Sequence, residues 1–313
     1  MDYKKTIIKM LKRHLNEDSK NGFQKRAYVM VIKQVEMLKH PVATFDDLST
    51  VKGIGTGIRK KIEAVFQDPP EEENTNTDKR IKEMELLQLV HGIGPKKAKE
   101  LVYQHNIKTL EDLRKHTELL NDKQLLGLKY VEDFEKRIPR AEMDKHAEVF
   151  KAAAASLSNP ITFDIAGSYR RGAKTSGDID ILVTFDTETH DTAVVMNAII
   201  DNLKQQKYIK AVFAQGDTKF NGVCRLSRHR THRRIDIMIA EPYQYPFALL
   251  YFTGSKDFNV KMRNVALAKN LSLNEYGFNK VGDTKKLVIP TIKTEKDIFD
   301  YLDMEYVAPT MRT

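Results

Sequence analysis

Cysteine and tryptophan are almost missing from this sequence. Its 313 residues include one cysteine, Cys224, and no tryptophan. A single cysteine excludes an intrachain disulfide and a zinc site built from several thiolates, and it agrees with a reducing environment. No apolar run approaches the roughly 20 residues that cross a bilayer, and the first residues, MDYKKT, form no apolar signal segment. We therefore expect an intracellular protein that is neither secreted nor inserted in a membrane.

A phosphate-binding loop of the Walker type is also missing, because the pattern GxxxxGK[ST] does not occur. Positive charge is in excess instead. The formal net charge is +9, the isoelectric point is near 9.3, and 41% of the residues are hydrophobic. This composition indicates a globular protein of two or three domains. The excess of positive charge indicates an anionic partner, for which nucleic acid is the first candidate. Charge alone leaves open a basic surface without such a partner.

The hydrophobic pattern changes along the chain. Apolar residues recur at helical spacing through the first 140 residues or so, and from Ile161 onward short β-rich runs dominate. Helical stretches are expected at 146–157 and 191–206, and the segment QDPPEEENTNTD at 67–78 is expected to be a loop or linker. The pattern predicts an α+β multidomain fold, with a helical N-terminal part followed by a mixed β-sheet.

One short motif occurs twice. VKGIG at 51–55 recurs as VHGIG at 90–94, and a lysine-rich helical segment follows each copy. Such turns direct backbone N–H groups outward beside a helix N-terminus, where a phosphate can bind. The pair predicts two helix-hairpin-helix contacts to a DNA backbone, through Gly53, Gly55, Gly92 and Gly94. A single copy would more simply be a turn between helices.

Two aspartates lie two residues apart in an apolar run. In a strand, Asp178 and Asp180 would project to one side while the interleaved isoleucines enter the core. A second alternating run, RIDIMI, carries Asp236. If the two strands are neighbours, three carboxylates converge and form a site for hard divalent cations, Mg²⁺ by default. The alternative is a half-buried strand with a polar solvent face.

Phosphate-binding chemistry precedes the first aspartate. Backbone N–H groups, hydroxyls and a planar cation suit a polyphosphate beside the metals, and they come from Gly167, Ser168, Arg171, Ser176 and Gly177. Two metal ions together with a polyphosphate suit in-line phosphoryl displacement. Because a Walker loop is missing, we predict nucleotidyl transfer rather than ATP hydrolysis.

The segment GSYRRGAKTSGDIDILV at 167–183 resembles the nucleotidyltransferase signature of the family X DNA polymerases, those of the beta type most of all. The resemblance extends over nearly the whole chain. It includes both Gly-Ile-Gly turns and, in order, KTLEDLRKH, LKYVEDFEKRIPRAEM, GDTKFNGVCRL, HRRIDIM, LYFTGSKDFNVKMR, LNEYGF and KDIFDYL.

The resemblance assigns roles to individual positions. It implies that Asp178 and Asp180 bind both metals and that Asp236 binds the metal that activates the primer 3′-hydroxyl, with Arg234 beside it. The residues implied to hold the incoming nucleotide are Arg137, Ser168, Arg171, Ser176 and Gly177 at the triphosphate, Tyr251, Phe252 and Gly254 at the sugar, and Asn259 at the base. Arg263 would contact the template strand. Without the resemblance, Phe252 would be core and Arg263 a solvated helix charge.

The chain departs from the family pattern at several positions. Lys256 stands where an acid lies near the nucleotide base, which adds positive charge beside the substrate. Met238 replaces an arginine that helps to switch between open and closed states, although its partners Glu275 and Tyr276 are retained.

A second activity is implied for Lys61, which occupies the position of the lysine that attacks the abasic sugar in the family's deoxyribose-phosphate lyase domain. The reaction needs a deprotonated amine, and like charges on Lys60 and Arg59 favour that state. Gly57 replaces a supporting lysine of the family. The alternative is a surface lysine that faces DNA.

Five arginines and two histidines lie within residues 225–234. His229 and His232 are three positions apart, but the segment itself contains no carboxylate or cysteine. We therefore interpret the segment as a solvated or DNA-facing hairpin rather than a metal site.

Together these patterns predict a gap-filling, DNA-templated polymerase of DNA repair. Its expected domains are a lyase-like helical domain with the first helix-hairpin-helix at 1–78, a helical DNA-binding subdomain with the second at 79–145, a nucleotidyltransferase palm at 146–242 and a nucleotide-selecting subdomain at 243–313. The alternatives are a template-independent nucleotidyltransferase and a non-catalytic DNA-binding protein.

The family pattern also implies the molecules that such a polymerase would bind. The cofactor would be Mg²⁺, two ions per site, with Mn²⁺ as a substitute and a monovalent cation at the helix-hairpin-helix turns. The partners would be gapped or nicked DNA and deoxynucleoside triphosphates, bound by a monomer without a separate partner-recruiting domain. The expected compartment is the nucleus or another that holds DNA, with mitochondrial and viral settings both open.

Overall fold

The computed structural model describes residues 2–15, 22–67, 75–158, 160–186 and 191–312. The helices are α1 Lys4–Leu15, α2 Gly22–Met37, α3 Thr56–Gln67, α4 Thr75–Leu87, α5 Pro95–Gln104, α6 Leu110–Lys115, α7 Asp122–Phe134, α8 Arg140–Ala155, α9 Gly167–Arg170, α10 Thr192–Gln205, α11 Tyr245–Thr253, α12 Lys256–Ala268 and α13 Glu295–Tyr301. Short 3₁₀ helices lie at Phe45–Leu48, Thr117–Leu119 and Pro309–Met311. The strands are β1 Ile138–Pro139, β2 Thr162–Ile165, β3 Thr175–Ser176, β4 Ile179–Thr184, β5 Ile209–Gln215, β6 Lys219–Cys224, β7 Arg233–Ile239, β8 Leu271–Asn274, β9 Gly277–Lys280 and β10 Lys286–Leu287.

The structure describes only some residues of the loop predicted at 67–78. Residues 68–74 lie outside the described residues, whereas Gln67 belongs to α3 and Thr75–Asp78 belong to α4, so the prediction is wrong for those five. No glycine or proline follows Pro70 there, and apolar residues recur at helical spacing at Ile81, Met84 and Leu87. A helix can therefore extend back through the polar Asn and Thr residues, which are favourable near a helix start.

The chain divides into two compact units. The first contains residues 1–88 and 94–113, and the second contains residues 89–93 and 114–313. In the first unit, α1 packs against α2 and α3. The spacing of Ile7 and Leu11 places both on one face of α1, and they are fully buried together with Val31, Val35 and Ile62.

The second unit is built on a five-stranded sheet of order β2-β4-β7-β6-β5. The β4–β7 pair is parallel, whereas the other neighbouring pairs are antiparallel. Alternating side chains of β4 enter two different cores. Ile181 and Val183 pack in the core that α8 and α10 cover, whereas Leu182 packs with Met238 and Ala248 on the opposite face. Asp180 shares the face of Leu182, because the two residues are two positions apart in the strand.

The C-terminal part of the second unit has its own small sheet, β10-β9-β8. Helices α11, α12 and α13 pack on a core that includes Phe258, Phe278 and Phe299. This mixture of helices and sheets agrees with the predicted α+β class. Within the described residues, no helix is both long enough and apolar enough to span a membrane.

Candidate active site

Three carboxylates meet where the paired strands β4 and β7 lie side by side. The parallel register places Asp180 directly beside Asp236, and Asp178 lies immediately before β4. One carboxylate oxygen from each of the three residues lies within 4.8 Å of the others. The expectation that the two strands are neighbours is thus confirmed, and the carboxylates converge because of it.

The electrostatics of this cluster favour a bound cation. Burial, and then the charges of Asp178 and Asp236, raise the pKa of Asp180 to about 8. Burial also raises the pKa of Asp236, although the Asn221 amide, which donates to its Oδ1, works in the opposite direction. A divalent cation would remove this repulsion, and a donor set made only of carboxylate oxygens suits hard cations. The residues present therefore fit a divalent metal.

Gly167 allows the backbone to approach the cluster closely. Its φ of +56° lies in the left-handed region, and a Cβ added there would lie 2.2 Å from Oδ2 of Asp180. Any other residue would displace a carboxylate of the cluster. Gly167 is also the first residue of the short helix α9.

A cleft of about 780 Å³ opens beside the carboxylates. Arg263, assigned to the template strand, lines it, and so do most residues assigned to the nucleotide, namely Arg137, Gly167, Ser168, Arg171, Gly177, Tyr251, Phe252, Gly254 and Asn259. Arg137 donates to the Thr175 carbonyl oxygen at 2.7 Å, and Arg171 donates to that of Thr253 at 2.6 Å. These bonds orient two guanidinium groups on the cleft wall.

One assigned residue, Ser176, is placed differently from the expectation. Ser176 is 1% exposed and lies behind the cleft wall, where its hydroxyl accepts a hydrogen bond from Ser168 at 3.0 Å. It therefore supports Ser168 rather than facing the cleft. Arg234 lies two positions before Asp236 on β7, where its charge acts to lower the pKa of that carboxyl, and it also donates to Oδ2 of Asp178.

The end of α11 and the start of α12 form the opposite wall. Asn259 donates to the Tyr251 carbonyl oxygen at 2.7 Å, and the Arg263 guanidinium lies 5.3 Å from the centre of the Tyr251 ring. Lys256 also lines the cleft, and none of the described residues forms a hydrogen bond or ion pair with its ammonium group. The departure from the family pattern at this position therefore adds an unneutralised cation to the wall.

Sequence reasoning missed two residues, Asn221 and Lys219. Both lie on β6, where Asn221 is opposite Asp236 and Lys219 is opposite Met238. The Lys219 ammonium lies 3.4 Å from Oε1 of Glu275 and 5.3 Å from the centre of the Tyr276 ring. Met238 carries no charge, so the cation beside Glu275 and Tyr276 comes from Lys219 instead. The only sequence signal was the polar alternation of KFNGV.

The two Gly-Ile-Gly turns have similar backbones. Their first glycines, Gly53 and Gly92, have φ values of +88° and +93°, and α3 and α5 follow them. A 3₁₀ helix precedes the first turn, whereas α4 precedes the second. The Gly55 N–H donates to the Gly53 carbonyl oxygen at 3.0 Å, so one of the expected phosphate donors is used within its own turn. A Cβ added at Gly55 or Gly94 would meet open space.

Lys61 lies on α3 in the first unit. Its ammonium nitrogen is 3.4 Å from Nε2 of His14, a residue that sequence reasoning did not single out. Arg59, one of the two charges expected to favour deprotonation, pairs with Glu63 at 2.7 Å. Glu63 therefore offsets part of the repulsion on which the sequence argument relied.

His229 and His232 do have nearby carboxylates in space, contrary to their sequence surroundings. His232 Nδ1 lies 2.8 Å from Asp133, and His229 Nδ1 lies 3.8 Å from Glu142. The two histidines thus contact different acids. Among the described residues, the one group of three or more side chains arranged to hold a metal is the Asp178, Asp180 and Asp236 cluster.

Three carboxylates that converge beside a cation-lined cleft are typical of metal-dependent enzymes that act on phosphate esters, polymerases among them. Residues 137–242 match a family model described as DNA polymerase beta palm, and residues 248–313 match DNA polymerase beta thumb. Residues 85–135 match the fingers domain of DNA polymerase lambda.

Similarity to whole proteins points the same way. The chain is 30% identical to rat DNA polymerase lambda over 302 residues, which are 91% of this chain and 52% of that protein. It is 28% identical to DNA polymerase lambda of Arabidopsis thaliana, over 96% of this chain and 59% of the relative. It is 26% identical to human DNA-directed DNA/RNA polymerase mu, over 89% of this chain and 62% of that protein. The chain therefore belongs to family X of the DNA polymerases, and it spans roughly half to three fifths of the length of these relatives.

Proposed function

We propose that this chain is a DNA-templated DNA polymerase that fills short gaps during base-excision-type repair. The observation that carries the proposal is the carboxylate cluster of Asp178, Asp180 and Asp236 at the head of a cleft lined by Arg137 and Arg171. The names of the relatives support the same activity. Gapped DNA and deoxynucleoside triphosphates would be the substrates, and Mg²⁺ would be the metal.

The residues of the site have different roles according to their position in it. Asp178, Asp180 and Asp236 would hold two divalent cations, which when bound would activate the attacking oxygen and stabilise the leaving group. Asn221 holds Asp236 in place, and Arg234 does the same for Asp178. Across the cleft, the guanidinium groups of Arg137 and Arg171 would bind the triphosphate oxygens.

The nucleotide sugar and base would lie against the α11–α12 wall. Tyr251 and Phe252 present aromatic rings 5.5 Å apart between their centres, and Asn259 is tied to the Tyr251 carbonyl oxygen. A rigid wall of this kind would exclude a bulkier sugar. Lys256 would add attraction for the anionic substrate.

Replacement of Asp236 tests the polymerase assignment. In Asp236→Ala we expect gap filling with Mg²⁺ to fall by about 10³-fold or more, because the metal site loses one of its three carboxylates. Binding of gapped DNA should change little, since the DNA-backbone contacts remain. Asp201→Ala, at an exposed carboxylate on α10, is the matched control and should keep wild-type activity. Undiminished synthesis by Asp236→Ala would overturn the assignment.

The same assay separates the alternatives. A template-independent transferase would extend a single-stranded primer as readily as a gapped substrate. A non-catalytic DNA-binding protein would incorporate no nucleotide with any divalent metal. We expect extension only where a template base is present.

We also propose that the first unit carries a deoxyribose-phosphate lyase site at Lys61. The partly buried ammonium beside His14 supports this proposal, because the ring nitrogen is placed to accept a proton from the amine. The amine would add to C1′ of the abasic sugar and form a Schiff base with loss of water, and β-elimination would then release the 5′-phosphate end.

Trapping with borohydride tests the lyase site. Lys61→Ala should lose the covalent product with an incised abasic substrate while gap filling continues. Lys60→Ala, the neighbouring exposed lysine, should still be trapped. If Lys61→Ala is trapped as efficiently as the wild type, another amine is the nucleophile.

A further inference from the structure

In the loop between β6 and β7, some residues anchor the loop to neighbouring helices and others face the solvent. Its two histidines contact acids: His232 donates from its backbone N–H to Asp133 at 2.9 Å, with its ring at 2.8 Å, and His229 lies 3.8 Å from Glu142. The ring of His232 also lies 4.7 Å from that of Tyr130. The histidines therefore fix this loop to α7 and α8.

Arg233 anchors the base of the same loop. It is 5% exposed and binds both carboxylate oxygens of Glu142, at 2.7 and 2.9 Å. A third bond runs from its Nη1 to the Lys136 carbonyl oxygen at 2.5 Å. A buried bidentate pair of this kind holds a fixed geometry, so the loop leaves β7 in a defined direction.

Two arginines at the tip differ from these anchoring residues. Arg228 and Arg230 are exposed, and no described residue forms a hydrogen bond or ion pair with either of them. Residues 225–234 contain no aspartate or glutamate that could neutralise them. The tip of the loop therefore presents two guanidinium groups to solvent. The rest of the loop is anchored by the contacts that its histidines and Arg233 make with acids on α7 and α8.

We propose that Arg228 and Arg230 bind the phosphate backbone of the DNA duplex just behind the growing 3′ end. The proposal rests on the polymerase function, which places that 3′ end at Asp236. Arg230 precedes Asp236 by six positions and Arg228 by eight, so at about 3.3 Å per residue both lie within roughly 26 Å of the site. Duplex DNA advances about 3.4 Å per base pair, which places the contacted phosphates within about eight base pairs of the 3′ end.

Salt dependence of DNA binding tests this interaction. The slope of log affinity against log salt falls by about 0.9 for each phosphate that the protein no longer neutralises. We expect Arg228→Ala/Arg230→Ala to bind gapped DNA more weakly and with a slope smaller by about 1.8, whereas Arg228→Lys/Arg230→Lys should keep most of the slope. The control is Lys145→Ala/Lys151→Ala, which removes the same charge from exposed positions on α8 and should leave the slope unchanged. An unchanged slope in the double alanine variant would overturn the proposal.

The length of the duplex tests the position. Because the contacted phosphates lie within about eight base pairs of the 3′ end, lengthening the duplex from about 10 to about 20 base pairs should leave the difference between wild type and double alanine variant unchanged. A difference that appears only on the longer duplex would place the loop elsewhere on the DNA and contradict the proposal. These measurements need no catalysis. A wild-type chain that binds as expected but incorporates no nucleotide would therefore refute the polymerase function and leave the phosphate interaction standing.

Discussion

At the residue scale, individual buried polar groups stabilise the region that matches the palm model, residues 137–242. His146 on α8 is 1% exposed, and its Nδ1 lies 2.6 Å from the Tyr208 hydroxyl oxygen. Burial lowers the pKa of His146 from 6.5 to about 4, in spite of the opposing charge of Glu142. The folded protein thus keeps this ring neutral at a pH where the unfolded chain would bind a proton.

His146 should therefore make the protein sensitive to mild acid. Its contribution to stability is complete above pH 6.5, the unfolded value, and is lost as the pH falls towards 4. We expect the urea midpoint of the wild type to drop between about pH 7 and pH 5, and to drop less in His146→Gln. His116→Gln, at an exposed histidine, should follow the wild type. Equal drops in all three proteins would rule out this role of His146.

At the element scale, Lys219 connects strand β6 to the turn between β8 and β9. Glu275 and Tyr276 at this turn outweigh the effect of burial and raise the pKa of Lys219. Because its side chain is 46% exposed, the ion pair itself should contribute less than about 1 kcal/mol to stability. Its effect should be local, on how tightly this turn is held to the sheet.

Hydrogen exchange can detect that local effect. In Lys219→Ala we expect the amides of residues 274–277 to exchange several-fold faster, with little change in the thermal midpoint. Glu275→Gln should give the same result, and the double variant should add nothing further because both changes remove the same ion pair. Lys280→Ala, an exposed lysine on β9, is the control. Unaltered exchange at 274–277 in Lys219→Ala would mean that the ion pair does not hold the turn.

The elements themselves were predictable to different degrees. The strands around Asp180 and Asp236 and the helices near 146–157 and 191–206 follow from periodicity, because alternation and 3.6-residue spacing are local properties. Helix α9 was missed, because its four residues make a single turn that follows a strand and contains a glycine. The polar start of α4 was also missed, since Asn and Thr favour both loops and helix starts.

At the scale of the whole molecule, the two proposed activities belong to separate units. Lys61 lies in the first unit and the carboxylate cluster in the second, and each unit has its own hydrophobic core. The four domains expected from the sequence remain a prediction, because a division by compactness yields two units. The division passes through the second Gly-Ile-Gly turn, of which residues 90–93 belong to the second unit and Gly94 to the first.

The sequence alone determined which residue types could do chemistry, and it placed Asp178 and Asp180 on one side of a strand, because side-chain alternation needs no distant contact. Only the tertiary structure decided that Asp236 joins them, that Ser176 lies behind the cleft wall, and that Lys219 reaches Glu275. The reason is physical: these contacts depend on which strands pair and in what register, and pairing between distant segments is set by the packing of the whole sheet on its helices.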